Sequence, residues 1–224
     1  MLKGFVFDLD GVITDTAQYH YQAWKKTAAR IGIEINPTVN ESLKGVSRMD
    51  SLEVILKYGG KDNDFTPAEK ADLAAQKNDD YLALLTDMSP KDILPGMADF
   101  LAALKQAGYQ LSLASASKNA PTILERLGLV DYFDARVDPA TLTKGKPDPE
   151  IFRRGAELLG IAPNEAVGME DAAAGVQSIN GAGEFSVAIG DAQILHAADL
   201  IFSDTAAVSL PKIEAAFAQW QSQA

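Results

Sequence analysis

The chain has 224 residues, a length that allows one large domain or a core with a small accessory domain. Its composition, 47% hydrophobic and 23% charged, is typical of globular proteins, and the absence of cysteine excludes disulfides and thiolate zinc sites. The net charge of −11 argues against non-specific nucleic-acid binding, which depends on Lys and Arg neutralising phosphates.

The sequence also lacks membrane and export signals. No stretch approaches the roughly 20 apolar residues that a membrane-spanning helix needs. Asp8 interrupts the only early apolar run, so we do not expect a secretory signal peptide. Together with the absence of cysteine, these features predict a cytoplasmic protein without a membrane or nucleic-acid partner. No exposed apolar interface is indicated, and we expect a monomer.

The first predicted element is a short strand from Gly4 to Phe7. It is apolar without alternation, which is typical of a buried parallel strand, and it leads directly into Asp8, with Asp10 two residues later. Ionised carboxylates in an apolar setting need a cation or hydrogen-bond donors. Because strand residues i and i+2 share a face, we expect both carboxylates in one site. An ordinary Asp-Gly turn is the structural alternative.

Only helical patterns follow, from residue 15 to residue 86. The first helix begins after a cap at Asp15 or Thr16 and ends at Gly32, and a second is predicted over residues 51–57. Thr66-Pro67-Ala68-Glu69 is a capping box that opens a third helix, ending near Leu85. Parallel strands are normally connected through a single helix. Residues 16–87 are therefore predicted to be an inserted helical domain, with residues 1–15 and 88–224 as the core.

Single helices alternate with short strands in the rest of the chain. Strands are predicted over residues 110–114, 133–137, 166–169, 185–189 and 200–202, and a closing helix over residues 210–220. This alternation predicts an α/β fold with a doubly wound parallel sheet. Ligands of such sheets bind beyond the carboxyl ends of the strands, so polar residues that follow the strands are the site candidates.

Two candidates could hold an anion. Ser115 follows the second strand, where a hydroxyl, backbone N–H groups and a helix N-terminus together form an anion site; a Ser-rich helix cap is the alternative. Lys146 is held in a stiff loop by Pro147 and Pro149, which would aim its ammonium group. A surface lysine is the alternative, and the neighbouring Lys144 carries no comparable constraint.

Two further acids, Glu170 and Asp171, follow the strand over residues 166–169. Acids at a helix start can serve simply as caps that interact with the helix dipole. With Asp8, however, they would form an oxygen-rich site of the kind that Mg²⁺ prefers. One carboxylate of the Asp8 and Asp10 pair could then be a nucleophile and metal ligand while the other transfers protons.

Four segments jointly resemble the signature motifs of the haloacid dehalogenase-like phosphotransferases. They are Phe7-Asp8-Leu9-Asp10-Gly11-Val12, Ala114-Ser115, Lys146-Pro147 and Gly168-Met169-Glu170-Asp171. The inserted helices resemble the cap domain of this superfamily. The resemblance implies a Rossmann-like core with a helical cap inserted after the first strand.

Further segments resemble the sugar phosphomutases of that superfamily. They are the opening run from Asp8 to Thr16, His20, Trp24, Leu43-Lys44-Gly45-Val46-Ser47-Arg48, Lys77-Asn78 and Ser115-Ala116-Ser117-Lys118-Asn119. The resemblance implies that Asp8 is phosphorylated, that Asp10 is the general acid/base, and that Ser115 and Lys146 hold the transferring phosphate. It assigns one Mg²⁺ to Asp8, the Asp10 carbonyl and Asp171, with Glu170 in support. The substrate-binding residues that it implies are Thr16, His20, Trp24, Lys44, Gly45, Val46, Arg48, Lys77, Ala116, Ser117, Lys118 and Asn119.

The activity implied by this resemblance is interconversion of β-D-glucose 1-phosphate and D-glucose 6-phosphate. It would proceed through β-glucose 1,6-bisphosphate, which also acts as the primer. Arg48, with Ser117, Lys118 and Asn119, would bind the non-reacting phosphate. A solvated pair of cations is the alternative for Lys44 and Arg48. The alternative functions are a Mg²⁺-dependent sugar-phosphate phosphatase, which needs one phosphate site where a mutase needs two, and a non-catalytic ligand-binding relative.

Overall fold

A computed structural model describes residues 1–43 and 46–223 of the chain. Its contacts form two compact units: Met1–Asp15 with Ser89–Ala224, here called the sheet unit, and Thr16–Met88, here called the helical unit. Lys44 and Gly45, two of the predicted substrate-binding residues, lie outside the described residues. No helix in the described ranges is long and apolar enough to cross a membrane.

The sheet unit is built on six parallel strands. They are β1 (Gly4–Phe7), β2 (Gln110–Leu113), β3 (Ala135–Arg136), β4 (Ala166–Glu170), β5 (Phe185–Ile189) and β6 (Leu200–Phe202). Their order across the sheet is β3-β2-β1-β4-β5-β6, and every pairing is parallel. The predicted doubly wound α/β fold is confirmed.

The described helices fall into two groups. Those of the helical unit are α1 (Ala17–Arg30), α2 (Pro37–Glu41), α3 (Arg48–Tyr58) and α4 (Pro67–Leu84). Those of the sheet unit are α5 (Met97–Gln106), α6 (Ala120–Leu127), α7 (Glu150–Leu158), α8 (Ala173–Ala182) and α9 (Leu210–Gln223). The predicted capping box is confirmed, because the Glu69 N–H donates to Thr66 Oγ1 at 3.3 Å and the Thr66 N–H donates to Glu69 Oε2 at 2.8 Å.

The central strand β1 is buried on both faces. Phe5 and Phe7 lie on one face, where each ring meets the edge of Phe100 on α5, at centroid distances of 6.0 and 6.3 Å. Val6 lies on the other face, in a core cluster with Phe152 of α7. An all-apolar strand between two helix layers is what a parallel sheet requires, and it fixes which way the following residues point.

The helical unit has its own core. Residues from all four helices pack in it, including Trp24 and Ala28 of α1, Leu52 and Leu56 of α3, and Leu73 of α4. Each of these side chains is nearly or completely inaccessible to solvent. The amphipathic faces predicted from the sequence therefore bury against one another within the unit.

Three local features differ from the sequence prediction. Thr16 is the N-cap of α1, but its side chain makes no capping hydrogen bond. The short helix α2 was not predicted; it begins after Asn36, whose Oδ1 accepts the Val39 N–H at 3.0 Å. β3 is limited to Ala135–Arg136 because it lies at the sheet edge and follows a 3₁₀ turn over Val130–Tyr132.

One buried acid lies outside the group of strand-end acids. Glu184, between α8 and β5, is 1% exposed, and neither carboxylate oxygen has a hydrogen-bond partner among the residues described. Burial therefore raises the pKa of Glu184 well above its ordinary value of 4.5. The folded protein holds this carboxyl in its neutral form over a wider pH range than the unfolded chain does.

Replacing Glu184 should make the protein more stable at alkaline pH. Below pH 4.5 the carboxyl is protonated in both states. As the pH rises above that value the unfolded state ionises first, so the folded state loses stability until the pH passes its own higher pKa. Glu184→Gln removes this loss, and we expect a gain of about 1 kcal/mol, roughly 2–4 °C in Tm, at pH 8.

Thermal unfolding of wild type and Glu184→Gln at pH 4 and pH 8 tests this expectation, with the exposed Glu125→Gln on α6 as the matched control. The gain should appear at pH 8 only and in the Glu184 variant only. An equal change at both pH values would contradict a titrating carboxyl at this position.

Candidate active site

Three strand ends meet at one edge of the sheet. In the register of the central strands, Phe7 of β1 is opposite Leu113 of β2 on one side and Met169 of β4 on the other. Because all three strands are parallel, the residues that follow them share one edge. Asp8 comes next after β1 and, by strand alternation, points to the face opposite Phe7, the face that α7 covers.

Lys146 connects two carboxylates at this edge. Its Nζ donates to Asp8 Oδ1 and to Glu170 Oε2, both at 2.7 Å, and its side chain is 1% exposed. Phe152 lies beneath the ammonium, with the ring centroid 5.0 Å from Nζ, and the peptide bond from Lys146 to Pro147 is cis. Burial lowers the pKa of Lys146, but the two carboxylates raise it by more, so the group stays charged.

Hydrogen bonds to both carboxylate oxygens orient Glu170. Oε2 accepts from Lys146, while Oε1 accepts the N–H groups of Asp171 at 3.0 Å and Ala172 at 3.1 Å. The first turn of α8 approaches closely, because a Cβ at Gly175 would lie only 1.9 Å from Oε2. A larger residue at Gly175 would therefore displace the carboxylate.

Asp8, Glu170 and Asp171 form a group that can hold a cation. Each offers one carboxylate oxygen, and these atoms lie within 4.8 Å of one another. Gly11 has a φ of +74°, and a Cβ there would lie 2.0 Å from Asp171 Oδ2, so the turn after β1 closes directly over this acid. An all-oxygen donor set of this kind fits a hard divalent cation such as Mg²⁺.

The electrostatics of this group agree with that fit. Burial raises the pKa of Asp8 to about 7; Lys146 opposes the rise, and Glu170 and Asp10 add to it. Burial and then Glu170 and Asp8 raise the pKa of Asp171 to about 9. A bound divalent cation would favour the ionised carboxylates and reverse both shifts.

Asp10 lies in the turn that follows β1. It is partly exposed, in contrast to the buried Asp8. The turn is closed by a hydrogen bond from the Gly11 N–H to the Thr14 carbonyl at 2.8 Å. Its charge adds to the raised pKa of Asp8.

The loop after β2 leads into the N-terminus of α6. Ser115 is 3% exposed, and its Oγ accepts the Ser117 N–H at 3.1 Å; the Oγ of Ser117 in turn accepts the Asn119 N–H at 3.2 Å. Ala116 is partly exposed and Lys118 is exposed. A loop with ordered hydroxyls that opens a helix has the chemistry of an anion site.

Several predicted substrate-binding residues meet within the helical unit. Lys77 is 2% exposed, and its Nζ lies 2.7 Å from His20 Nδ1 and 4.9 Å from the centroid of the Trp24 ring. Arg48, the first residue of α3, donates from Nη2 to Asn78 Oδ1 at 2.7 Å. The sequence analysis selected His20, Trp24, Arg48 and Lys77, and the structure groups them around α4.

The remaining predicted residues of this unit are Thr16, Val46, Lys44 and Gly45. Thr16 is fully buried at the start of α1. Val46 is partly exposed, and its N–H donates to the Leu43 carbonyl at 3.4 Å. Lys44 and Gly45 lie outside the described residues, so the structure does not test these two predictions.

Tyr81 joins this group, although the sequence analysis did not select it. It is fully buried, its ring stacks on His20 with centroids 4.1 Å apart, and it lies 4.7 Å from Lys77 Nζ. Its position one helical turn after Lys77 was the only sequence signal.

Burial, then Lys77 and Arg48, lower the pKa of His20 well below 6.5.

Comparison with known proteins identifies the family. Residues 2–183 match the family described as haloacid dehalogenase-like hydrolases. The chain belongs to this family. The predicted resemblance is confirmed, and the acid that directly follows the first strand, Asp8, is a feature of both the sequence motif and the geometry.

Individual relatives sharpen this placement. The chain is 46% identical over 220 residues to a β-phosphoglucomutase of Bacillus subtilis (strain 168), with 98% of this chain and 97% of that protein covered. It is similar to the crystal structure of a β-phosphoglucomutase from Clostridium difficile, at a TM-score of 0.97 and 42% identity, with 99% and 100% of the two chains covered.

A phosphatase is a more distant relative. Validoxylamine A 7′-phosphate phosphatase of Streptomyces hygroscopicus subsp. limoneus is 28% identical over 219 residues, with 95% of this chain and 99% of that protein covered. Close homology thus supports phosphomutase activity over phosphatase activity.

Removing Lys146 should destabilise the protein far more than removing its neighbour Lys144. Lys146→Met leaves two buried carboxylates without their shared counter-charge, so we expect a loss of about 3 kcal/mol or more in unfolding free energy. Lys144 is 70% exposed and pairs with Asp148 at 3.3 Å, so Lys144→Met should change stability by less than about 0.5 kcal/mol.

Denaturant unfolding at pH 8 in the presence of EDTA makes this comparison without interference from bound metal. Similar losses in the two variants would mean that the bridge to Asp8 and Glu170 contributes no more than a surface ion pair.

Proposed function

We propose that this chain interconverts β-D-glucose 1-phosphate and D-glucose 6-phosphate through an aspartyl-phosphate enzyme and β-glucose 1,6-bisphosphate. The observation that carries the proposal is the 46% identity over nearly the whole chain to a β-phosphoglucomutase. The site in the sheet unit supports phosphoryl transfer, and the cations of the helical unit support binding of a second phosphate.

Asp8 is the proposed nucleophile. Its Oδ1 is held by Lys146 at 2.7 Å, which leaves Oδ2 to attack phosphorus. The Asp8–phosphorus bond forms as the bond from phosphorus to the leaving oxygen breaks, and the phosphoaspartate later donates to a sugar hydroxyl. Lys146 balances the negative charge that the transferring group brings, since phosphoryl transfer depends mainly on positioning and charge neutralisation.

Asp10 is the proposed general acid/base. It takes the proton from the sugar hydroxyl that attacks phosphorylated Asp8, and it returns the proton to the leaving oxygen in the reverse step. Its greater exposure than Asp8 suits this role, because the proton carrier must reach the sugar while the nucleophile stays fixed.

Phosphomutases of this superfamily generally depend on Mg²⁺. We propose that the carboxylates of Asp8 and Asp171 and the carbonyl of Asp10 hold one ion, with Glu170 in support. When bound, the ion would neutralise charge on a phosphoryl oxygen and orient it. Ser115 would donate its hydroxyl to the same phosphoryl group.

The helical unit is proposed to bind the non-reacting phosphate of the bisphosphate through Arg48. A guanidinium suits bidentate contact with phosphate, and Asn78 orients Arg48 through the hydrogen bond at 2.7 Å. Ser117, Lys118 and Asn119 of the sheet unit are proposed to contribute to the same function. Thr16, His20, Trp24, Lys44, Gly45, Val46, Lys77 and Ala116 complete the proposed substrate-binding set.

The sugar phosphate is the only partner that this proposal requires. β-Glucose 1,6-bisphosphate acts as the primer that phosphorylates Asp8. We further propose a monomeric, cytoplasmic enzyme, in keeping with the strongly acidic composition and the absence of cysteine.

A sugar-phosphate phosphatase is the second candidate. The relative from Streptomyces hygroscopicus subsp. limoneus, a phosphatase 28% identical to this chain, favours it. Asp8, Asp10 and Lys146 serve hydrolysis as well as transfer to a sugar, so the two activities must be separated by experiment.

The decisive assay supplies β-glucose 1-phosphate, Mg²⁺ and a trace of β-glucose 1,6-bisphosphate, and measures glucose 6-phosphate and free phosphate separately. We expect glucose 6-phosphate as the main product, its formation lost on adding EDTA and lost in Asp8→Asn. Release of phosphate without glucose 6-phosphate would establish the phosphatase instead.

Arg48→Ala should damage the mutase cycle selectively. Loss of the second phosphate contact should lower kcat/KM for β-glucose 1-phosphate by about 100-fold, since charge-assisted hydrogen bonds contribute roughly 1.5–3 kcal/mol. Slow hydrolysis of p-nitrophenyl phosphate, which carries one phosphate, should change by less than about threefold. Lys57→Ala, an exposed cation on the last turn of α3, is the matched control. Equal losses with both substrates would exclude a second phosphate site at Arg48.

A further inference from the structure

Tyr81 contacts two residues of the proposed substrate-binding group, His20 and Lys77. It lies on α4 with no exposed surface, and its ring stacks on the His20 imidazole at 4.1 Å with an interplanar angle of 29°. The same ring faces the ammonium of Lys77 at 4.7 Å. One aromatic side chain thus borders two polar groups, from α1 and from its own helix.

Lys77 is enclosed by aromatic rings on two sides. Trp24 lies 4.9 Å from Nζ and Tyr81 lies 4.7 Å from it, while the lysine is 2% exposed. A cation held over two ring faces gains electrostatic energy that partly replaces the water it has lost. The two rings therefore stabilise the ammonium at one place inside the helical unit.

The contact from Lys77 decides which nitrogen of His20 carries the proton. Lys77 Nζ lies 2.7 Å from His20 Nδ1. An ammonium has donors only, so Nδ1 must accept and the proton of the neutral ring must be on Nε2. Burial and the charges of Lys77 and Arg48 keep the pKa of His20 low, so the ring remains neutral near pH 7.

Arg48 is a second cation whose pKa responds to Tyr81. Burial lowers the pKa of Arg48, and the Tyr81 phenol raises it. Arg48 is separately held by Asn78, on the same helix as Tyr81. The ring of Tyr81 thus contacts both Lys77 and His20.

We propose that Tyr81 is a positioning residue that holds Lys77 against His20 and so presents His20 as a neutral Nε2–H hydrogen-bond donor. Any use of this hydrogen-bond donor in catalysis rests on the proposed function. The fixed tautomer of His20 is a property of the free protein and can be measured without substrate.

Nitrogen-15 NMR of the imidazoles tests the tautomer directly. The chain has two histidines, and the exposed His196, in the sheet unit, provides an internal reference. In the wild type we expect His20 to give the Nε2–H pattern, unchanged from pH 5.5 to pH 8. In Tyr81→Leu we expect mixed tautomers and titration closer to the ordinary value of 6.5. Tyr81→Phe keeps the ring and should keep the wild-type spectrum.

Kinetics supply the functional readout. Tyr81→Leu should lower kcat for glucose 6-phosphate formation by about 10-fold or more, with less than about threefold change in KM, because a misplaced donor affects the reaction more than substrate binding. Tyr81→Phe should restore most of the kcat. Leu56→Ala is the matched control, because Leu56 is a fully buried core residue of α3 and its loss destabilises the same unit.

Two results would overturn the proposal: an Nδ1–H tautomer in the wild type, or the same change of the His20 spectrum in Leu56→Ala as in Tyr81→Leu. If Tyr81→Leu does not fold, Lys77→Met replaces it, and an unchanged Nε2–H signal in that variant overturns the proposal equally. A wild type without mutase activity would refute the proposed function while the NMR result still decides the role of Tyr81.

Discussion

The sheet unit depends on one buried ammonium. Lys146 bridges Asp8 and Glu170, which come from two adjacent strands and would otherwise repel each other in an apolar setting. Removing two carboxylates from water is costly, and a shared counter-ion with good geometry offsets much of that cost. The lysine thereby permits two buried acids to stand side by side, and in the proposed reaction its charge would also balance that of the phosphoryl group.

Backbone geometry also places the acids of the site. Parallel pairing brings the ends of β1, β2 and β4 to one edge, and alternation turns Asp8 toward α7 and α8. Glycines let the backbone reach the acids where a side chain would collide, at Gly11 against Asp171 and at Gly175 against Glu170. These two main-chain positions therefore tolerate little substitution. The close approach of the backbone helps to hold the acids of the site in place.

The sequence predicts much of this site because its information is local. A carboxylate after an apolar strand, a serine after the next and a lysine between prolines each carry a signal within a few residues, and strand order joins them. Tyr81 could not be found this way, since helical periodicity shows which face is buried but not which neighbour it meets. The burial of Glu184 was equally invisible, because an isolated acid in a loop ordinarily faces water.

The chain order of the sheet has a consequence for biosynthesis. β1 is translated before the other five strands of the sheet, yet its two neighbours begin at residues 110 and 166. The helical unit, in contrast, is one continuous stretch, Thr16–Met88, and its contacts are complete before either neighbour has been made. Domains generally fold as units during synthesis. Asp8 is thus translated early and assembled late, and until β2 emerges the nascent chain carries an unpaired apolar strand that chaperones can recognise.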